Sequence, residues 1–314
     1  MYLHQHKSFK DLLLAESEAR AIDPILIEKD YWIMHCLYGL QRLGFRFELK
    51  GGTSLSKAYK IIDRFSEDID IHIHPDATLR INENPKNTNA NNVTKRLAFY
   101  DLLADEIKIE GIELVERDTF FDDTDYYRSG GIRLIYNSFF KALPGLKEGI
   151  LLEVGFDNVT PNNPRDITSW AFDKALQASI GLTDNRALQI PCYDMRYTFV
   201  EKLQTIATKF RNMQSSGNSQ ANFMRQYYDI YQLLNQQEVK EFIGTPEYLT
   251  HKERRFPAVD FEIPLSQNQA FLLEDDKIKQ QLNQSYIKSK ALYYNGQVDL
   301  QSILDLLKIY LKDL

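Results

Sequence analysis

Two carboxylates and two imidazoles share one face of a short predicted strand. The segment 68-DIDIHIH-74 alternates polar and apolar residues, with Asp68, Asp70, His72 and His74 on one parity. Successive side chains of a β-strand point to opposite faces, so the alternation predicts a half-buried strand. Neighbouring carboxylates repel each other, and a hard cation such as Mg²⁺ between them relieves the repulsion. The pair therefore indicates a cation site, although a solvated strand face would show the same alternation.

A glycine pair lies shortly before this strand. Residues 45–52 predict a short strand that ends in Gly51 and Gly52, and residues 53–62 predict a helix. Glycine at a helix N-terminus lets backbone N–H groups approach phosphate oxygens, and the helix dipole favours that negative charge. Asp68 follows Gly52 by sixteen residues. A phosphate cradle followed by paired carboxylates indicates phosphoryl or nucleotidyl transfer, in which two Mg²⁺ ions activate the attacking hydroxyl and stabilise the leaving pyrophosphate.

A third carboxylate usually completes such a site, and residues 149–158 offer two candidates. The segment GILLEVGFDN predicts a strand whose apolar run is interrupted by Glu153, and Asp157 shares the parity of Glu153. Glu153 is the better candidate, with Asp157 in reserve. A different interpretation remains open for His72 and His74. As a His-x-His pair they could bind a transition metal together with the aspartates, as in a metallohydrolase.

The elements that would position these residues fall into two halves. Further helices are predicted over 8–43 and 93–110, further strands over 112–118 and 130–138, and a loop over the asparagine-rich residues 82–92. Beyond about residue 165 the pattern becomes mostly helical, with amphipathic segments at 196–213, 223–235 and 297–314. The sequence therefore predicts an α+β fold, with a catalytic domain in residues 1–165 and a mostly helical domain in residues 166–314.

Composition excludes several classes of protein. The chain has 314 residues, 43% of them apolar, and a net charge of −6. It has no apolar run long enough to span a membrane, and its N-terminus lacks a signal-peptide pattern, so we expect a cytoplasmic protein. The negative charge disfavours a general nucleic-acid coat protein but leaves room for a local basic patch.

Several motifs together resemble one family. The run 50-KGGTSLSKAYKIIDRFSEDIDI-71 is similar to the first motif of the AbiEii-type nucleotidyltransferase toxins, which belong to the DNA polymerase β-like superfamily. Weaker similarities are 28-EKDY-31, 201-EKL-203 and 225-RQYYDIY-231. The resemblance implies a polymerase β-like catalytic domain with a mixed sheet flanked by helices. It also implies a helical C-terminal domain that contributes Lys202 and Asp229 to the cleft.

The resemblance implies specific roles for residues of this chain. Nucleotide binding would fall to Gly51, Gly52, Thr53, Ser54, Lys57 and Lys202; Mg²⁺ binding to Asp68, Asp70 and Glu153; and catalysis to Asp68, Asp70, Lys202 and Asp229. Asp229 would act as a base or as an orienting group. From the residues alone, Lys202 lies at the edge of an apolar helical stripe, where a lysine commonly extends to solvent. Asp229 lies among tyrosines and could simply accept a tyrosine hydrogen bond.

The implied function is a Mg²⁺-dependent toxin, with one ion or two, that transfers NMP from an NTP to an RNA acceptor. The tRNA 3′ end is the leading acceptor. The family implies a type IV toxin–antitoxin system linked to abortive infection and phage defence, with an antitoxin encoded by a neighbouring gene. Two alternatives stay open, namely transfer to a protein or small molecule, and NTP binding without transfer.

Overall fold

The computed structural model describes residues 1–141, 143, 146–217 and 222–314. The chain forms two compact units. The first comprises Met1–Tyr59 and Phe65–Tyr193, and the second comprises Lys60–Arg64 and Asp194–Leu314. We call them the sheet unit and the helical unit.

The sheet unit contains one mixed sheet of seven strands. In chain order they are β1 (Phe47–Lys50), β2 (Asp68–Ile73), β3 (Ile112–Arg117), β4 (Ser129–Tyr136), β5 (Ile150–Gly155), β6 (Asn162–Ile167) and β7 (Ala187–Tyr193). Their order across the sheet is β3-β4-β5-β2-β1-β7-β6. Strand β2 runs antiparallel to β1 and parallel to β5. Ile69, Ile71 and Ile73 are fully buried, as the alternation along β2 predicts, but His72 on the opposite parity is buried as well.

The sheet unit also contains five α-helices among its described residues. They are α1 (Phe9–Arg20), α2 (Pro24–Arg42), α3 (Gly51–Thr53), which continues as a π-helix over Ser54–Ala58, α4 (Ala90–Glu106) and α5 (Trp170–Gln177). The helical region predicted over 8–43 consists of two helices, because Ala21 ends α1 in a left-handed conformation and Asp23 caps the start of α2. The helix predicted over 53–62 begins earlier and ends earlier, with Lys60 at a φ of +56°.

Strands β6 and β7 lie where the sequence predicts mostly helix. Both contain a proline, and Pro164 of β6 faces Pro191 of β7 in an antiparallel register. Proline weakens a strand prediction because it cannot donate to the ladder. Since β7 pairs in parallel with β1, the sheet unit continues to Tyr193. This division differs from the expected boundary between residues 165 and 166.

The helical unit is built around α6. Its helices are α6 (Met195–Ser216), α7 (Met224–Leu234), α8 (Gln237–Phe242), α9 (Pro246–Arg255), α10 (Ala258–Phe261), α11 (Gln269–Leu272), α12 (Asp276–Lys288) and α13 (Leu300–Tyr310). Helix α6 packs against α7, α9 and α11. The short segment Lys60–Arg64 joins this unit, since the Asp63 N–H donates to the Tyr228 hydroxyl at 3.0 Å. Among all the described helices, none is both long and apolar enough to cross a membrane.

Candidate active site

Three carboxylates lie on one face of neighbouring strands in the sheet unit. In the parallel register of β2 and β5, Asp70 is opposite Glu153, and Asp68 is opposite Leu151. Residues that are opposite in a sheet point to the same face, so Asp68, Asp70 and Glu153 form one cluster. Asp157 lies beyond the end of β5, where its carboxylate accepts a hydrogen bond from Lys50 at 3.0 Å. The structure therefore groups Glu153, the preferred third carboxylate, with the aspartate pair.

The electrostatics of this cluster favour a bound cation. Burial, together with the charges of Asp70 and Asp68, raises the pKa of Glu153 to about 8. One carboxylate oxygen of Asp68, Oδ1, is buried and has no hydrogen-bond partner among the described residues. Buried polar atoms without protein partners are rare in folded proteins, and ion binding is one of the roles that retain them. A divalent cation would satisfy this oxygen and relieve the repulsion that raises the pKa of Glu153.

The glycine turn lies directly against the cluster. Gly51 has a φ of +71°, and a Cβ atom at this position would come within 2.0 Å of Asp70 Oδ2. Only glycine therefore allows the turn to approach the carboxylate so closely. The hydroxyl of Thr53 donates to the backbone carbonyl of Asp68, which ties the turn to β2. The hydroxyl oxygen of Ser54 is buried with no partner in the described part of the chain.

Lys147 belongs to this site, and the sequence gives no signal for it. Its ammonium group contacts Asp68 Oδ2 at 2.7 Å. Its backbone N–H donates to Glu67 at 3.0 Å, and its carbonyl accepts a hydrogen bond from Lys29. Lys147 therefore neutralises part of the carboxylate charge. It is not part of any recognisable motif, and only the folded chain brings it to Asp68.

The Glu-Lys-Asp-Tyr motif at 28–31 is fully buried and anchors several distant segments. Glu28 accepts hydrogen bonds from the Ser138 hydroxyl at 2.5 Å and from a backbone N–H at 3.1 Å. Asp30 accepts one hydrogen bond from the Lys57 ammonium at 2.5 Å and one from the backbone N–H of Trp170 at 2.9 Å. The ammonium group of Lys57 is thus engaged with Asp30, and its predicted contact with nucleotide stays a prediction.

Asp229 lies at the centre of a buried group of ions in the helical unit. Two guanidinium nitrogens of Arg64 each contact one Asp229 oxygen at 2.6 Å, and the Lys202 ammonium contacts Oδ2 at 2.9 Å. Burial alone would raise the pKa of Asp229, but the two cations hold it below its usual value. Both oxygens are occupied by cations. This geometry suits an orienting group for Lys202 and Arg64 better than a general base.

The two histidines contact glutamates in the structure. His72 and His74 bond to Glu83, and His74 also bonds to Glu48 at 2.9 Å. The metallohydrolase interpretation would require them to share an ion with the aspartates. Instead, His72 contacts Glu83, and His74 contacts Glu83 and Glu48.

A mixed sheet that presents three carboxylates beside a glycine turn is the arrangement expected of a nucleotidyltransferase. The family model described as "Nucleotidyl transferase AbiEii toxin, Type IV TA system" matches residues 35–299. The match covers most of the chain, and the protein belongs to this family. The family and the α+β fold class predicted from the sequence are thereby confirmed. Comparisons with curated proteins and with solved structures give no significant match.

Proposed function

We propose that the protein is a Mg²⁺-dependent nucleotidyltransferase that transfers an NMP group from an NTP to the 3′ hydroxyl of an RNA, foremost tRNA. Membership of the AbiEii family supports nucleotidyl transfer by a toxin. The observation that carries the proposal is the cluster of Asp68, Asp70 and Glu153 on one face of β2 and β5. The RNA acceptor and the metal go beyond what family membership supplies.

The residues of the cluster fit a hard divalent cation. Carboxylate oxygens are the ligands that Mg²⁺ prefers, and Asp68 Oδ1 is a buried acceptor that lacks a partner in the described structure. Asp68, Asp70 and Glu153 would hold the metal. When bound, Mg²⁺ supplies Lewis-acid chemistry that lowers the pKa of the attacking hydroxyl and neutralises charge on the phosphates.

The chain itself would bind and orient the triphosphate. The turn at Gly51–Thr53 and the hydroxyl of Ser54 would face the phosphate oxygens, because the turn lies against the carboxylate cluster and the Ser54 hydroxyl has no hydrogen-bond partner among the described residues. In the reaction, the 3′ oxygen forms a bond to the α-phosphorus and the bond from that phosphorus to pyrophosphate breaks. The hydroxyl proton passes to solvent. A contact of Lys202 with nucleotide phosphate, with Asp229 fixing the position of Lys202, is part of the proposal.

The acceptor can be identified with labelled nucleotides. The purified protein is incubated with Mg²⁺ and each of the four α-³²P NTPs, with total tRNA or without it, and the products are separated on a denaturing gel. We expect label on tRNA that is lost in Asp70→Asn and retained in Glu113→Gln, a change at an exposed position of β3. Label on protein alone would refute the RNA acceptor and select the alternative of protein modification.

The proposed partners follow from the family. A toxin of a type IV system implies a cognate antitoxin protein, and the substrates NTP and tRNA imply action in the cytoplasm. Co-expression with the product of the neighbouring gene tests this. We expect it to restore growth that expression of the protein alone arrests, and continued arrest would contradict that partner.

A further inference from the structure

A second cluster of potential metal ligands lies further along β1 and β2. Glu48 of β1 is opposite His72 of β2, and His74 follows immediately after the strand. One ligand atom each from Glu48, His72 and His74 lie within 4.8 Å of one another. Glu83, from the segment after β2, bonds to both imidazoles. These four residues are distinct from the cluster of Asp68, Asp70 and Glu153.

The contacts within this second cluster concentrate carboxylate oxygens around imidazole nitrogens. A single oxygen of Glu83 lies 2.9 Å from His72 Nε2 and 2.8 Å from His74 Nδ1. His74 Nε2 lies 2.9 Å from Glu48 Oε1. The other oxygen of Glu48, Oε2, is buried and has no hydrogen-bond partner in the described ranges of the chain. The site therefore contains an acceptor atom that the protein leaves unsatisfied.

The segment that carries Glu83 is rigidly supported despite its asparagine-rich composition. Arg96 is fully buried and donates to the backbone carbonyls of Asn82 at 3.1 Å and Asn84 at 2.6 Å. The side chain of Asn92 also exchanges two hydrogen bonds with the backbone of Asn82, at 2.7 and 2.9 Å. Glu83 thus lies between two residues whose backbone is fixed by buried groups. This arrangement holds a carboxylate over the two imidazoles.

We propose that Glu48, His72 and His74 bind one divalent transition-metal ion, with Zn²⁺ as the best fit, while Glu83 orients a ligand imidazole from its other nitrogen. Two carboxylates and two neutral imidazoles balance the charge of a divalent ion. Imidazole nitrogen combined with carboxylate oxygen suits zinc, whereas magnesium prefers an all-oxygen shell. Each histidine needs only one nitrogen for the ion. His74 would bind the ion through Nε2, on the side of Glu48, and its Nδ1–H would donate to Glu83, which is how ligand imidazoles are commonly oriented.

The positions of the three ligands and of Glu83 define what the ion would do. Glu48 and His72 lie on adjacent strands, and Glu83 lies on the segment that leads to α4. An ion bound to Glu48, His72 and His74, with Glu83 bonded to the His74 imidazole, would fasten that segment to the sheet. The ion would stabilise the folded state, because anything that binds only the native protein shifts the unfolding equilibrium by mass action. This inference does not depend on the proposed nucleotidyl transfer.

The test uses the full-length protein, stripped with a chelator and then supplied with millimolar Mg²⁺ to saturate hard-cation sites. Zn²⁺ binding is measured by calorimetry and by metal analysis after dialysis, and Co²⁺ serves as a spectroscopic probe of nitrogen ligation. We expect one equivalent of Zn²⁺ that Mg²⁺ does not displace, and a rise in the unfolding temperature on binding. We expect Glu83→Gln to weaken Zn²⁺ binding at least about tenfold and His74→Asn to abolish it.

Matched variants keep the result interpretable. The Glu83 side chain is 39% exposed, so Glu83→Gln should fold normally, as a circular dichroism spectrum can verify. The double variant Asp68→Asn/Asp70→Asn should retain the zinc equivalent. Absence of zinc binding in the wild type would overturn the proposal. Zinc binding by Glu83→Gln and His74→Asn that is as tight as in the wild type would overturn it as well. Loss of zinc from the aspartate double variant would also overturn it, since the ion would then belong to the aspartates.

Discussion

The substitution Asp229→Asn removes the negative charge at the centre of the buried ion group in the helical unit. The Asp229 side chain is 0% exposed, that of Arg64 is 5% exposed and that of Lys202 is 12% exposed. The substitution therefore leaves two cations that have little access to water. Removing one partner of a buried ion pair costs about 3–5 kcal/mol. We expect the variant to lose about this much of its free energy of unfolding, mostly through Arg64.

Urea unfolding followed by circular dichroism measures this loss. With an m-value of about 2 kcal/mol/M, the midpoint should fall by about 2 M urea. Asp260→Asn is the matched control within the same unit. The Asp260 side chain is 3% exposed, but its partner Arg211 is 37% exposed and returns to solvent when the charge is removed. We expect the control to cost about 1–2 kcal/mol.

The direction of the pH dependence follows from the pKa of Asp229. Because its folded-state pKa is lowered, its stabilising contribution is present above the unfolded pKa and is lost as the pH falls through the folded pKa. The difference between wild type and Asp229→Asn should therefore shrink in acid. A loss below about 1 kcal/mol at neutral pH, or one no larger than that of Asp260→Asn, would refute this account of the ion group.

Three further predictions concern the carboxylate cluster. Gly51→Ala should abolish NMP transfer in a folded protein, because its Cβ would meet Asp70 Oδ2 at 2.0 Å, whereas Gly181→Ala, with open space around it, should not. In chelator, Glu153→Gln should raise the unfolding temperature above that of the wild type, and by more at pH 9 than at pH 5. The reason is that the wild-type protein loses stability as the pH rises towards the folded pKa of Glu153, which is raised to about 8. Lys147→Met should bind Mg²⁺ more tightly by calorimetry, because the ammonium that contacts Asp68 at 2.7 Å no longer competes; weaker binding would contradict this.

Local patterns in the sequence are sufficient to predict the centre of the sheet. The period-2 alternation of β2 places Asp68 and Asp70 on one face, and the single charge in an apolar run identifies Glu153. The register that puts Glu153 beside Asp70 depends on strand order, which local patterns do not contain. Strand β7 escapes prediction because Pro191 breaks its strand signal, although pairing with β1 and β6 holds it in the sheet.

Contacts between residues far apart in the sequence explain most of the remaining difference between the predicted site and the structure. Arg64 and Asp229 are separated by 165 residues, and no local rule connects them. Lys57 is polar and close to the glycine turn, which favours a nucleotide contact, but the buried carboxylate of Asp30 binds its ammonium. Lys147 contacts Asp68 from a segment without any motif. Such ion pairs form only when the complete fold brings the charges together.

Pyrophosphate release is the sharpest test of whether the three clustered carboxylates form an active site, because it reports nucleotidyl transfer whichever base is added. The assay contains the protein, Mg²⁺, the four NTPs and total tRNA, and compares the wild type with Asp68→Asn, Asp70→Asn, Glu153→Gln and Glu113→Gln. We expect release by the wild type and by Glu113→Gln, and loss of release in each variant of the three clustered carboxylates. Undiminished release by all three cluster variants would contradict the assignment of these carboxylates to the active site.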